Sequence, residues 1–248
     1  MWKIFLISFL INGYLSPLLA SVTDGLVASY TFNEGSTTDD VKGMQAIMSF
    51  THQSKDRFGN TKHAVYLQGT NASYIILGNS DVLKPTSGTV SLWVKIENPI
   101  FNGRGVMANP IIITKSNPTD DFYEGYSLFY DIGSKKLGAV TSLDEPNQAG
   151  CRTVDEIDLH TWYHISMTYD DESLKLYING ELAAAISKKF TTQFLDNDPV
   201  VIGSFLNSKN ERYLNGYIDD VKIYNRVLSD KEILELYNAP NPVRWKVF

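Results

Sequence analysis

Short apolar or alternating runs fill the chain from Leu26 onward, and clusters of Gly, Asn, Asp and Pro separate them. Many short runs with turn signals between them are typical of an all-β sandwich. No run is followed by the amphipathic pattern of a crossover helix, which argues against a parallel α/β fold. The predicted strands are Leu26–Phe32, Ala64–Tyr66, Tyr74–Leu77, Thr89–Ile96, Ile111–Lys115, Tyr126–Ile132, Lys136–Thr141, Trp162–Asp170, Leu174–Ile178, Glu181–Ser187, Val200–Ser204 and Gly216–Tyr224.

Two local patterns predict a tight turn and a helix. The dipeptide Asn179-Gly180 separates the runs SLKLYI and ELAAAI, and a two-residue Asn-Gly loop between alternating runs predicts a β-hairpin. A helix is predicted from Ser229, because Ser229 and Glu232 have the spacing of a capping box. Its apolar face, at helical intervals, comprises Ile233, Leu236 and Tyr237.

The segment 1–20 has the pattern of a secretory signal peptide. Lys3 precedes an apolar run from Ile4 to Ile11, and small and apolar residues lead to Ala20. We expect cleavage after Ala20 and a secreted protein, extracellular or periplasmic. The alternative is an uncleaved membrane anchor, which is disfavoured because the apolar run is too short to span a bilayer. No later segment has the pattern of a membrane span.

The remaining chain has the length of one domain, which we assign to residues 21–240, with an extended tail at 241–248. Loss of Lys3 reduces the 22 basic side chains to 21 against 28 acidic ones, so the net charge changes from −6 to −7. An acidic surface without basic clusters argues against nucleic acid as a partner. Cys151 is the only cysteine, so no internal disulfide forms.

The segment GYIDDVKIYNRVLSDKEILELY carries a family likeness. It resembles the closing strand and helix of laminin G-like jelly-roll domains of the concanavalin A-like lectin/glucanase superfamily. Weaker matches lie in the family's order: GLVASYTFNEG, DRFGNTKHAVYLQG, GTVSLWVKI and WYHISMTYDDESLKLYINGELAA. The resemblance implies an all-β, two-sheet antiparallel jelly-roll sandwich with one short C-terminal helix. It also implies a secreted domain of a kind that often binds Ca²⁺ and often binds glycans or proteins.

The resemblance further implies the place of a structural calcium ion. In relatives, the first Asp of the Ile-Asp-Asp strand and a turn after the first strand hold the ion. The matching positions here are Asp219 and the turn Asn33-Glu34-Gly35, with Asp40 as a further candidate. Carboxylate and carbonyl oxygens are the ligands that Ca²⁺ prefers. The alternative is that Asp219 is an outward-facing strand residue and that hydrogen bonds hold the turn.

A glycan site is predicted beside the polar loop that precedes the run YSLFY. Proteins hold sugars by aromatic faces together with carboxylate and amide hydrogen bonds. The alternative is that these aromatic residues pack the core, and Trp93 and Trp162 are interpreted as core because they lie inside strand patterns. The candidate ligand contacts are Asp120, Asp121, Tyr123, Glu124 and Tyr126.

One stretch imitates a catalytic motif. Glu156-Ile157-Asp158-Leu159-His160 is close to the Glu-x-Asp-x-Glu pattern of jelly-roll β-glucanases, whose carboxylates lie on one face of a strand. His160 stands where the second glutamate is required, and the strand pattern that follows places the stretch in a loop. We therefore expect no catalytic residues. The leading hypothesis is a secreted, non-catalytic module that binds a polysaccharide or cell-surface glycan, with a structural calcium ion. The alternative is a protein-binding adhesion or surface-assembly module, and a glycoside hydrolase or lyase is less favoured.

Overall fold

The computed structural model describes residues 21–99, 109–115, 124–141, 149–194, 198–206 and 212–241. The predicted signal peptide at 1–20 lies outside the described residues, as does the tail beyond residue 241. The strands of the described residues are β1 Leu26–Tyr30, β2 Ile47–Ser49, β3 Thr51–Ser54, β4 Ala64–Gln68, β5 Tyr74–Gly78, β6 Gly88–Ile96, β7 Ile111–Lys115, β8 Tyr126–Asp131, β9 Lys136–Thr141, β10 Ala149–Arg152, β11 Trp162–Tyr169, β12 Ser173–Ile178, β13 Glu181–Ser187, β14 Val200–Ile202 and β15 Asn215–Tyr224, and the helix is α1 Asp230–Tyr237.

These strands form two antiparallel sheets. The larger has eight strands in the order β13-β12-β11-β6-β15-β4-β3, and β1 also pairs with β15. The smaller has seven strands in the order β10-β9-β8-β7-β14-β5-β2. Alternate apolar side chains of both sheets point towards each other and form the main core. The predicted two-sheet antiparallel sandwich with one short C-terminal helix is therefore confirmed. Within the described ranges, no helix has both the length and the apolar character needed to cross a membrane.

Three strands, β2, β3 and β10, were not predicted from the sequence. All three lie at the edge of a sheet. An edge strand has one neighbour. The polar run THQS in β3 and the run AGCR in β10, three small residues and an arginine, provide little apolar alternation. Edge strands that pack little apolar surface give a weak pattern in the sequence.

The predicted hairpin at Asn179-Gly180 is confirmed. Ile178 pairs with Glu181, and Asn179 and Gly180 have positive φ angles of 51° and 85°, which a two-residue type I′ loop requires. Gly180 also lies against the C-terminal helix, because an added Cβ would be 2.8 Å from Leu234 Cδ1. The turn therefore depends on glycine for both backbone conformation and space.

The helix α1 packs on the outer face of the larger sheet. Leu176 and Ile223 point into the main core, whereas the neighbouring Tyr177 and Tyr224 belong to a second apolar cluster with the helix. Successive side chains of a strand point to opposite faces, so the helix covers the side of the sheet that looks away from the sandwich interior. The helix residues of this cluster are Ile233 and Leu236.

The first turn of α1 is held by the predicted capping box, which the structure confirms between Ser229 and Glu232. The Glu232 carboxylate also accepts a hydrogen bond from Arg226 Nη2 at 2.6 Å. Hydrogen bonding to Arg226 lowers the pKa of Glu232 from its usual value of 4.5 to about 2. Ser229 contributes to the same effect. Because the folded protein depresses this pKa, the ionised carboxylate stabilises the fold above about pH 4.5, and that stability is lost as the pH falls towards 2.

We expect Glu232→Gln to lower the free energy of unfolding at pH 7 by about 1 kcal/mol, the usual size of a capping interaction. The difference from wild type should shrink as the pH falls from 4.5 towards 2, because the carboxyl group of the unfolded chain takes up its proton before that of the folded protein does. Urea unfolding at pH 7 and pH 3 measures both values. Glu235→Gln, at an exposed position of the same helix, is the matched control. A stability difference that is the same at both pH values would contradict the role assigned to the ionised carboxylate.

Candidate functional site

A row of aromatic and basic side chains crosses the outer face of the larger sheet where the helix does not cover it. Each member is the direct cross-strand partner of the next, from β3 through β4, β15 and β6 to β11. The members are separated widely in sequence and meet only because these five strands are neighbours in the sheet. We call this set the aromatic row; it consists of His52, Tyr66, Tyr217, Lys95 and Trp162.

The rings of the aromatic row contact one another. The Tyr66 and Tyr217 ring centroids are 4.8 Å apart, the Tyr217 and Trp162 centroids 6.2 Å, and the His52 and Tyr66 centroids 6.5 Å. Lys95 Nζ lies 4.0 Å from the Tyr217 ring centroid and 5.7 Å from that of Trp162. Its ammonium group therefore makes cation–π contacts with both rings. His52 is exposed, and the other members are partly exposed. The row therefore presents ring surface to solvent.

A second, polar row lies beside the aromatic row, two residues along the chain from the members on β4, β15, β6 and β11. Two of its residues lie in strands β4 and β15, and the other two lie just beyond the end of β6 and just before β11. The Tyr66 hydroxyl donates to Asn215 Oδ1 at 2.9 Å. The Glu97 carboxylate contacts His160 Nδ1 and lies 3.7 Å from Lys95 Nζ. Amide and carboxylate groups thus stand next to the rings. We call this set the polar row; it consists of Gln68, Asn215, Glu97 and His160.

Burial raises the pKa of Tyr217, and the nearby charge of Glu97 raises it further. The phenol is therefore neutral at pH 7 and keeps its proton for donation. Ring faces that pack against apolar sugar surface, with donors and acceptors beside them, have the chemistry that a saccharide site needs. The arrangement therefore suits the binding of a saccharide, with the polar row as hydrogen-bond donors and acceptors for its hydroxyl groups.

Trp93 and Trp162, both interpreted as core residues, lie in different environments. Trp162 is partly exposed at the start of β11 and belongs to the aromatic row, so its interpretation as a core residue is wrong. Trp93 is buried as predicted, but it lies on the outer face, where its ring stacks on that of Tyr237 at 5.7 Å. The strand pattern reveals alternation but does not tell which face is covered.

The predicted ligand loop is only partly within the described residues. Asp120, Asp121 and Tyr123 lie outside them. Glu124 is buried beside Lys115 Nζ at 3.1 Å. Tyr126 is buried in the main core, and its hydroxyl donates to the carbonyl oxygen of Leu83 at 3.0 Å.

The expectation that Glu124 and Tyr126 face a ligand is therefore corrected. The charge of Glu124 is compensated inside the protein by Lys115. The Tyr126 ring packs near those of Tyr169 and Phe194, with centroids 6.0 and 6.3 Å away. The alternative that aromatic residues of this run pack the core applies to Tyr126.

Asp219, the main predicted calcium ligand, is bound by an arginine. Arg57 Nη1 lies 3.0 Å from Asp219 Oδ2 and 2.8 Å from Asp220 Oδ2. The guanidinium lies between the rings of Phe58 and Trp93, 4.3 Å from each centroid. Burial raises the pKa of Asp219 well above its usual range, the Asp220 charge adds to this, and Arg57 lowers it. A buried positive charge therefore already stands against the two carboxylates.

The other predicted calcium positions have separate partners. Asn33 Oδ1 contacts His63 Nδ1, and Glu34 Oε1 lies 3.5 Å from His63 Nε2. Gly35 has a φ of 75°, and its N–H donates to the carbonyl oxygen of Lys62 at 2.8 Å. Hydrogen bonds thus hold this turn.

Asp40 is the remaining predicted ligand, and its Oδ2 accepts from Thr31 Oγ1 at 3.2 Å. In the part of the chain that the structure describes, no group of three or more His, Cys, Asp or Glu side chains is arranged to hold a metal ion. The donor set around Asp219 fits a guanidinium and does not fit a calcium ion, because a second cation would be repelled by Arg57. The geometry at Asp219 therefore disfavours the predicted calcium ion.

The stretch that imitates a catalytic motif lies in a loop, as predicted. It falls between the end of β10 at Arg152 and the start of β11 at Trp162. Glu156 is exposed and lies 3.4 Å from Lys135 Nζ, and Asp158 is also exposed. The two carboxylates therefore do not occupy alternate positions of a strand, which the glucanase pattern requires. Elsewhere, burial raises the pKa of Cys151 to about 11, which disfavours the reactive thiolate.

Two packed antiparallel sheets, with a helix over part of one outer face and a row of partly exposed rings on the rest, define a concanavalin A-like binding module. The chain belongs to the Laminin_G_3 family, described as the concanavalin A-like lectin/glucanases superfamily, whose model matches residues 68–234. The resemblance seen in the sequence is thereby confirmed. The matched range includes every member of the aromatic row except His52 and Tyr66.

Solved structures of binding domains share this fold. The binding domain of Paraclostridial Mosquitocidal Protein 1 is 18% identical, with a TM-score of 0.68 over 88% of this chain and 53% of that chain. Domain 4 of AbnA, a GH43 extracellular arabinanase from Geobacillus stearothermophilus, in complex with arabinotriose, is 19% identical, with a TM-score of 0.68 over 86% of this chain and 98% of that chain. The binding domain of Botulinum Neurotoxin DC in complex with SialylT is 17% identical, with a TM-score of 0.64 over 88% of this chain and 52% of that chain.

A curated relative, the Adhesion G-protein coupled receptor V1 of Danio rerio, is 30% identical over 156 residues. The match covers 61% of this chain and 2% of the receptor. The chain thus spans a very small part of the length of this relative.

Proposed function

We propose that this protein is a secreted carbohydrate-binding module that holds an extended glycan along the aromatic row. The observation that carries the proposal is the register of the larger sheet, which places His52, Tyr66, Tyr217, Lys95 and Trp162 in one partly exposed line. The polar row beside it supplies the groups that would bind sugar hydroxyls.

The length of the row suits a chain of sugars better than a single ring. Neighbouring strands lie about 4.8 Å apart, so a row across five strands extends roughly 19 Å. Rings of Tyr217 and Trp162 flank the Lys95 ammonium, and the Glu97 carboxylate is near enough to offset its charge. A surface with balanced charge and exposed rings favours a neutral saccharide.

The comparisons support a saccharide as the ligand class. One structural neighbour is solved in complex with arabinotriose and another in complex with SialylT. Secretion is supported by the pattern of residues 1–20 and by the extracellular arabinanase to which one neighbour belongs.

A protein partner is the second candidate function. Two exposed large apolar residues lie at the sheet edges, Ile47 at the start of β2 and Phe50 between β2 and β3. Gln68 Nε2 donates to the Phe50 carbonyl at 3.0 Å. Exposed apolar side chains beside strand edges favour protein contacts. The adhesion receptor found among the relatives is consistent with this role.

A glycan array, followed by titration calorimetry with the best ligand, tests the leading function. We expect Tyr217→Ala and Trp162→Ala each to weaken binding about 10-fold, because each removes a stacking surface. Thermal melts check that the variants fold. Tyr74→Ala is the matched control, since Tyr74 is a partly exposed aromatic residue on β5 of the smaller sheet.

The same experiment separates the two candidates. Wild-type affinity in a folded Tyr217→Ala/Trp162→Ala variant would refute the aromatic row as the glycan site. A silent array would turn attention to the protein partner, for which Phe50→Ala is the informative variant.

A further inference from the structure

A separate cleft of about 450 Å³ lies at the smaller sheet. Its walls come from strands β8, β9 and β10, from the segments that precede β7 and β15, and from the outermost strand of the larger sheet. The volume is in the range of small-molecule sites. The lining residues that bear on its chemistry are Asn109, Phe129, Arg152, Lys188 and Arg212.

The cleft is cationic in a protein that is acidic overall. Arg152, Lys188 and Arg212 all line it, and none of the described lining residues is a carboxylate. The net charge of the whole chain is −6. Basic side chains gathered in a concave site focus a positive potential and attract anions. The charged side chains among the described lining residues are therefore all basic, and Asp131 contacts one of them from outside the lining.

Arg152 is oriented for a ligand by a single carboxylate outside the lining. Its Nε donates to Asp131 Oδ2 at 2.7 Å, and its side chain is 52% exposed. The backbone N–H groups of Gly133 and Ser134 hold Asp131 Oδ1 at 3.1 and 3.2 Å. Because Asp131 accepts the hydrogen bond from Nε–H, the Nη groups of Arg152 are the fork that can face an anion.

Phe129 supplies an apolar wall. Its ring lies directly against the backbone of Gly138, since an added Cβ at Gly138 would be 2.3 Å from Phe129 Cζ. The Arg152 guanidinium lies 5.4 Å from the ring centroid. At the same cleft, Asn109 Oδ1 accepts from Ile132 N at 3.1 Å, which turns the Asn109 amide so that its Nδ2 group is the remaining donor.

We propose that this cleft binds the carboxylate of an acidic saccharide. A guanidinium fork matches a carboxylate in a planar, bidentate pair, Phe129 packs against the apolar side of the sugar ring, and Asn109 donates to a hydroxyl. The inference rests on the proposed function for the saccharide class, and it adds a second site with a charged ligand to the neutral site of the aromatic row.

Calorimetry with three acidic saccharides, a galacturonate oligomer, a glucuronate oligomer and N-acetylneuraminate, tests the proposal, with neutral galactose and glucose oligomers as counterparts. We expect at least one acidic saccharide to bind, with an affinity that falls as salt is raised. Arg152→Gln should weaken that binding about 10-fold or more, and Arg152→Lys should weaken it less, because charge remains while the fork is lost. Lys231→Gln, an equal change of charge at an exposed helix position, is the matched control and should have no effect.

Failure of this inference can be told from failure of the proposed function. A Tyr217→Ala/Trp162→Ala variant should lose neutral glycans and keep the acidic ligand. Three results would overturn the cleft assignment. The Arg152→Gln variant could bind the acidic ligand with wild-type affinity, or none of the three acidic saccharides could bind. The third is that neutral counterparts bind equally well and Arg152→Gln weakens their binding too. If none of the acidic saccharides binds, neutral binding lost on Tyr217→Ala would leave the proposed function intact.

Discussion

Arg57→Met is expected to lower the free energy of unfolding by about 3–5 kcal/mol, the usual cost of removing one partner from a buried ion pair. Arg57 lies between the carboxylates of Asp219 and Asp220, with its side chain 6% exposed and that of Asp219 4% exposed. Without the guanidinium, two like charges would share a poorly solvated site. Urea unfolding at pH 7 measures the loss.

The position of Arg57 explains why the loss should be large. Strand β15 changes its partner at Asp219, from β4 on the N-terminal side to β1 on the C-terminal side. Its pairing with β6 is irregular between Asp219 and Lys222, and Asp220 has a positive φ of 49°. The guanidinium thus neutralises the carboxylates where the continuous ladder is interrupted, and it connects the loop between β3 and β4 to the closing strand.

The matched variant Arg57→Lys keeps the charge and should recover part of the stability. Thermal melts of the wild type with a chelator or with added CaCl2 complete the test, because a ligand that binds the folded state raises the melting midpoint. We expect no shift, since Arg57 holds the charge that a calcium ion would supply at Asp219. A higher midpoint with CaCl2 that disappears in Asp219→Asn would contradict this and favour the calcium site.

Glu124→Ala is the second change with a large expected effect, again about 3–5 kcal/mol. Lys115 Nζ lies 3.1 Å from Glu124 Oε1, and the two side chains are 0% and 4% exposed. Removal of the carboxylate would leave an ammonium group in the interior without this partner. Urea unfolding measures the effect.

An exposed pair with the same chemistry is the control for Glu124→Ala. Lys135 Nζ and Glu156 Oε2 are 3.4 Å apart, with side chains that are 64% and 63% exposed. Glu156→Ala should change stability by less than about 1 kcal/mol, because water screens exposed pairs. If Glu124→Ala leaves stability unchanged but abolishes glycan binding, Glu124 would be a ligand contact after all.

Local patterns in the sequence predicted much of the fold correctly. The Asn179-Gly180 turn and the capping box of Ser229 and Glu232 are present as expected, because each depends on residues within a few positions of one another. The strands with clear alternation were also found, with ends that shift by a few residues, whereas the edge strands β2, β3 and β10 were not. A strand that buries little apolar surface has little pattern to detect.

Most residues of the candidate sites could not be predicted from the sequence. Outward positions such as Tyr66 and Tyr217 alternate with buried residues in their strands. Trp162 shows no such alternation, and its place at the partly exposed start of β11 is the one feature that argues against the core. The sequence does not predict that these residues are neighbours in space, because that depends on which strands pair and in what register. Glu124 and Tyr126 were predicted to contact a ligand because a polar loop beside aromatic residues resembles a surface site in the sequence. Their buried contacts inside the protein are visible only in the structure.

By itself, the sequence determined the all-β class, the turns, the capped helix and the family, because periodicity, capping and motif order are properties of neighbouring residues. Only the tertiary structure decided the strand register that brings the five members of the aromatic row together. It also decided the pairing of Arg57 with the carboxylates of β15 and the position of the basic cleft at the smaller sheet. The physical reason is that a shift of one residue between paired strands turns every side chain to the other face.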